Sequence, residues 1–126
     1  MRHVYLFTTL IFLLNTTICF SQSEDAMNPK WDTYHSSTQA NALLESWSKA
    51  FPNLTSFYSI GKTLKDSPFM VLEITNKKTG ASNTKPAYYY DGNIHAGELT
   101  GAEVALHYAW YLLSNYDKSA RIKNLL

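Results

Sequence analysis

The residues best suited to chemistry in this sequence are His95 and Glu98, within Tyr90-Asp91-Gly92-Asn93-Ile94-His95-Ala96-Gly97-Glu98. A neutral imidazole and a carboxylate are both good zinc ligands, and a catalytic zinc takes three protein ligands plus a water. Three residues apart, across a turn that enters a helix, the two side chains can be aimed at one point. A glutamate near a helix N-terminus is also favoured by the helix dipole. The spacing alone is a weak signal, because a surface histidine beside a helix-capping glutamate has the same pattern. The surroundings strengthen the metal reading. An apolar strand is expected to end at Tyr90, glycines follow, and a helix is expected soon after. Ligands of open α/β sheets bind at that end of a strand.

The elements that must position this pair follow from periodicity and turn chemistry. Ser36 and Gln39 fit a capping box, and Leu43, Leu44, Trp47 and Phe51 share one face of the helix that it starts. Phe51-Pro52-Asn53 stops that helix. Strands are expected at 54–60 and 69–75, with Gly61 and a polar stretch around Lys65-Asp66-Ser67-Pro68 between them. Residues 76–84 read as a turn, and 87–90 as a third, short strand covered on both faces. Its tyrosines, Tyr88 to Tyr90, are expected to fill the cores on its two sides. Trp47 and Trp110 are expected in the core as well, and Lys77-Lys78 in a solvated turn. A second helix is expected to start near Thr100, where Thr100 and Glu103 fit another capping box. It is apolar nearly all round and so expected to be buried.

The sequence has 126 residues, with 10 acidic against 11 basic and 45% hydrophobic. This is ordinary globular composition. No clustered basic excess points to nucleic acid. The N-terminus reads as a signal peptide over 1–21: a basic start, an apolar run from Val4 to Leu14, and small residues Cys19 and Ser21 before a cut at Gln22. The run falls short of the roughly 20 apolar residues of a membrane span. Ile18 is bulky for a lipoprotein signal. A secreted or periplasmic protein, with no membrane span after cleavage, is therefore expected. Cys19 is the only cysteine, so the mature chain is expected to lack disulfides and thiol ligands. Residues 22–35 read as a polar linker or a loosely held arm. Residues 36–126 are expected to be an incomplete α/β domain, because three strands and two helices leave apolar faces and sheet edges uncovered.

From about His35 to Leu126 the sequence resembles the N-terminal part of zinc carboxypeptidases of the carboxypeptidase A type. The resemblance rests on Ile60-Gly61-Lys62-Thr63, on Val71-Leu72-Glu73-Ile74-Thr75, and on the block from Asp91 to Glu98 with its following helix. It implies a mixed sheet between helices, zinc as cofactor, peptide or protein substrates, and His95 and Glu98 as the first two zinc ligands. It also implies hydrolysis of C-terminal residues by a zinc-activated water. The histidine that completes the metal site, the general-base glutamate and the arginines that grip the substrate carboxylate come later in the family's sequence and have no match here. Gly97 stands where the best-known members often carry a substrate-contacting arginine.

Within this chain His107 and His35 are the remaining candidates for a third ligand. Glu103 and His107 share a helical face. They lie about 7 to 14 Å from Glu98 by helical rise, too far for one zinc shell. The alternatives are a cell-wall peptide hydrolase of the same superfamily, a zinc deacylase, and an inactive truncated or binding module. The strand-rich lead-in from Ile60 to Thr75 favours the peptidase over the deacylase.

Overall fold

The computed structural model describes residues 27–126, so the signal-peptide expectation for 1–21 lies outside the described residues. The first helix, α1, spans Ser37–Ala50. Its start is the expected capping box, in which Gln39 N donates to Ser36 Oγ at 3.3 Å and Ser36 N donates to Gln39 Oε1 at 2.9 Å. Two backbone donors that the helix leaves open are thereby satisfied. The apolar face points inward as its spacing requires: Trp47 is fully buried, and Ala40, Leu43, Leu44 and Phe51 pack around it. The helix ends at Phe51, which precedes Pro52 and leaves the helical region at a φ of −120° and a ψ of 55°, since a following proline disfavours helical backbone.

Strands β1 (Thr55–Lys62) and β2 (Pro68–Ile74) form a two-stranded antiparallel sheet, in register from Thr55↔Ile74 to Lys62↔Pro68. A bulge between Ser59 and Gly61 shifts the register, and Gly61 adopts a φ of 151° there. Such a conformation is costly for residues with a Cβ. After β2 the chain runs through short 3-10 turns at Lys77–Thr79 and Ser82–Thr84. Lys85 pins this stretch: its ammonium donates to Thr75 Oγ1, Asn76 O, Thr79 Oγ1 and Leu126 O at 2.7 to 3.1 Å.

The second helix, α2, spans Leu99–Asn115, and a short α3 spans Ala120–Leu125. Helix α1 lies against both strands and against α2. Their common core is Trp47, Leu54, Leu106 and Leu113, with Leu72, Ile74, Ala109 and Trp110 packed onto it. Helices on a small sheet form the α/β arrangement expected. Among the described residues no helix is long and apolar enough to cross a membrane.

Three expectations are corrected. Residues 87–90 form no strand. Among the described residues β1 and β2 pair only with each other, and without ladder hydrogen bonds an apolar run has nothing to hold it extended. Its tyrosines stay outside: Tyr88 is 82% and Tyr89 75% exposed. Helix α2 is not buried all round. Leu106, Leu112 and Leu113 are buried, while Val104, Tyr108 and Tyr111 are exposed. Finally, α2 starts at Leu99, near Thr100 as expected, but with Glu98 as N-cap and no side-chain cap bond. The Thr100–Glu103 box does not form, because both side chains bond the segment before α1 instead.

Candidate metal centre

The loop from Asp91 to Glu98 is set onto the start of α2 by backbone contact. Gly92 lies so close to Gly101 that a Cβ on residue 92 would overlap the Gly101 backbone. Asn93 takes a φ of 64°, the left-handed region that asparagine tolerates better than most residues. Its side-chain Oδ1 is buried without a hydrogen-bond partner. An orphaned acceptor and a left-handed residue both cost stability and tend to gather near functional sites. This one lies two residues before His95.

His95 and Glu98 are brought together. Glu98 N donates to His95 O at 2.9 Å, which closes a turn, and Gly101 N donates to Glu98 O at 2.9 Å, which starts the helix. The turn places His95 Nδ1 3.1 Å from Glu98 Oε1. Both side chains are open to solvent, at 80% and 59% exposed. Glu98 is the N-cap residue of α2, but its carboxylate makes no cap bond to the helix backbone and lies instead against His95.

The spacing and donor types fit zinc. Two ligand atoms at the usual zinc distances around a tetrahedral centre are about 3.3 Å apart, close to the observed separation. Among the described residues no third histidine, cysteine, aspartate or glutamate joins the pair. Two donors alone hold zinc weakly, because affinity grows with ligand number and geometry.

The other histidines among the described residues, His35 and His107, are engaged elsewhere. His107 sits in an aromatic group, its ring centroid 4.8 Å from that of Trp31 and 5.8 Å from that of Trp110. His35 pairs with Glu103, Nδ1 to Oε2 at 2.8 Å. Glu103 thus faces His35 rather than its helical neighbour His107. Sequence reasoning also passed over Gly101. A glycine inside a helix costs about 1 kcal/mol relative to alanine and signals close packing, which is the role it has against Gly92.

A sequence model described as zinc carboxypeptidase matches residues 40–126, more than half of the chain. The chain belongs to the zinc carboxypeptidase family. Among curated relatives, human carboxypeptidase D is 27% identical over 106 residues, covering 84% of this chain and 8% of that protein. Carboxypeptidase D of Drosophila melanogaster is 31% identical over 100 residues, covering 79% and 7%. Mouse carboxypeptidase M is 30% identical over 93 residues, covering 74% and 21%. The chain therefore spans only a small part of the length of these relatives.

Proposed function

We propose that this chain supplies His95 and Glu98 as the first two zinc ligands of a metallocarboxypeptidase that hydrolyses C-terminal residues from peptides. The observation that carries the reading is the 3.1 Å approach of His95 Nδ1 to Glu98 Oε1 at the entry to α2, in a chain of the zinc carboxypeptidase family. The bound ion would supply Lewis acidity toward a peptide carbonyl and would acidify a water. His95 would contribute a neutral ligand and Glu98 an anionic one that offsets part of the ion's charge. The third ligand and the general base are assigned to sequence beyond the described residues, within a mixed-sheet α/β/α catalytic domain. In this reading residues 1–21 are a signal peptide and the mature protein is secreted or periplasmic. The 126-residue chain by itself is inactive.

The test is to assay the full-length protein on peptides with different C-termini, with and without a chelator, and to measure its zinc content. His95→Ala and Glu98→Ala are expected to lose bound zinc and activity together. Zinc content and hydrolysis at wild-type levels in both variants would overturn the assignment. Chelator-sensitive peptidase activity from residues 22–126 alone would refute the inactivity of the short chain. A mature protein that retains residues 1–21 by mass spectrometry would refute the export reading.

A further inference from the structure

The segment before α1 lies along α2 from Thr100 to Trp110. At the first turn the Tyr34 hydroxyl and Thr100 Oγ1 are 3.3 Å apart. One turn on, Glu103 receives two hydrogen bonds from His35: the backbone N–H donates to Oε1 at 2.6 Å, and Nδ1 lies 2.8 Å from Oε2. Further along, the Trp31 ring stands edge-on to His107 and Trp110. The Trp110 indole N–H donates to Met27 O at 3.3 Å.

The His35–Glu103 contact differs in kind from the others. The side chains are only 12% and 16% exposed, so water competes weakly for them. Both carboxylate oxygens are engaged, and both partners belong to one residue, a backbone amide and its own ring. Two bonds from one residue fix the direction of a carboxylate as well as its position. The buried residues of α2, Leu106, Leu112 and Leu113, lie from its third turn onward, and close packing there holds that part of the helix. The bonds to Glu103 add a directional restraint to the first two turns, which bury no residue of their own. Glu98, the N-cap, lies five residues earlier, about 7.5 Å along the axis. Loosening of those turns therefore reaches Glu98 and the His95 turn that is hydrogen-bonded to it.

We propose that His35 and Glu103 are a positioning pair for the metal centre. They hold the first turns of α2 and through them the turn that carries His95 and Glu98. The inference rests on the reading of His95 and Glu98 as zinc ligands, and its test separates the two.

The experiment compares the full-length protein with its His35→Ala, Glu103→Ala and Glu103→Gln variants. It measures amide hydrogen exchange along α1 and α2, and zinc affinity by competition with a chromophoric chelator. In Glu103→Ala and His35→Ala, the first two turns of α2 are expected to exchange faster while amides around Trp47 keep their protection. Zinc affinity is expected to fall about tenfold, the scale seen when groups that orient metal ligands are removed. Glu103→Gln keeps an acceptor for the His35 N–H and is expected to lie closer to wild type, and it carries the test if Glu103→Ala does not fold. Wild-type exchange in α2 and wild-type zinc affinity in the variants would overturn the proposal. So would a uniform rise in exchange, Trp47 region included, with zinc affinity unchanged. A wild-type protein that binds no zinc refutes the metal reading instead, and the α2 exchange pattern then decides the clamp on its own.

Discussion

The α-carbon of Gly92 faces the start of α2 so closely that a Cβ there would lie 2.3 Å from the carbonyl oxygen of Gly101. The contact packs the loop that carries His95 onto the first turn of the helix that Glu98 caps, and so supports the turn that brings the two side chains together. Gly92→Ala must push this junction apart, since the atoms it meets are main chain and cannot rotate away. Overpacking of this kind costs about 1 to 3 kcal/mol. The expected result is a lower melting temperature together with weakened zinc binding. A variant with both at wild-type values would contradict the junction's role. Gly101→Ala is expected to be milder, because its Cβ would lie 3.4 Å from Asn93 N.

Trp47 is the largest fully buried side chain among the described residues, and α1, β2 and α2 meet around it. Truncation of a buried aromatic costs about 3 to 5 kcal/mol, against a total domain stability of about 5 to 15 kcal/mol. Trp47→Ala is expected to bring the denaturation midpoint close to native conditions, and Trp47→Phe to cost less. Equal midpoints for the two variants would count against the cavity argument.

Ser36 caps α1 through the Gln39 amide and is itself exposed. Its replacement by alanine removes a cap without opening a cavity. A loss of about 1 kcal/mol is expected, read as a shifted urea midpoint with an unchanged slope. Gln39→Ala is expected to add little once Ser36 is gone, because the two bonds form one reciprocal device.

Metal removal is expected to separate activity from fold. His95 and Glu98 are exposed and stand apart from the core of Trp47, Leu54, Leu106 and Leu113. Treatment of the full-length protein with a chelator is expected to abolish hydrolysis while leaving its tryptophan near-ultraviolet circular dichroism in place. Collapse of that signal on chelation would show the metal to be structural.

Local devices were the most legible features in the sequence. The Ser36–Gln39 box, the Leu43, Leu44 and Trp47 face, the positions of the two strands and the turn at 76–84 each follow from neighbours within a few residues. Energies of that range are written in residue order. The Tyr88–Tyr90 run was misread for the opposite reason. Its composition suits a covered strand, but a strand exists only where another backbone accepts its hydrogen bonds, and none does so here among the described residues. The same limit explains α2. Nearly continuous apolar character states what a helix can bury, whereas the neighbours present decide which of its faces is covered.

Glu103 shows where sequence reasoning gives out. Read locally it has two good partners, Thr100 in a capping box and His107 one turn on, and the structure uses neither. It bonds His35, from a segment 68 positions away, because folding α1 onto β1 and β2 returns that segment to α2. The sequence alone determined the donor types and the three-residue spacing of His95 and Glu98, since a turn into a helix brings such a pair together by local geometry. Tertiary structure decided how that pair is held. The Gly92–Gly101 junction packs the loop onto the helix it leads into, and the His35–Glu103 clamp joins segments 68 positions apart, which no local pattern encodes.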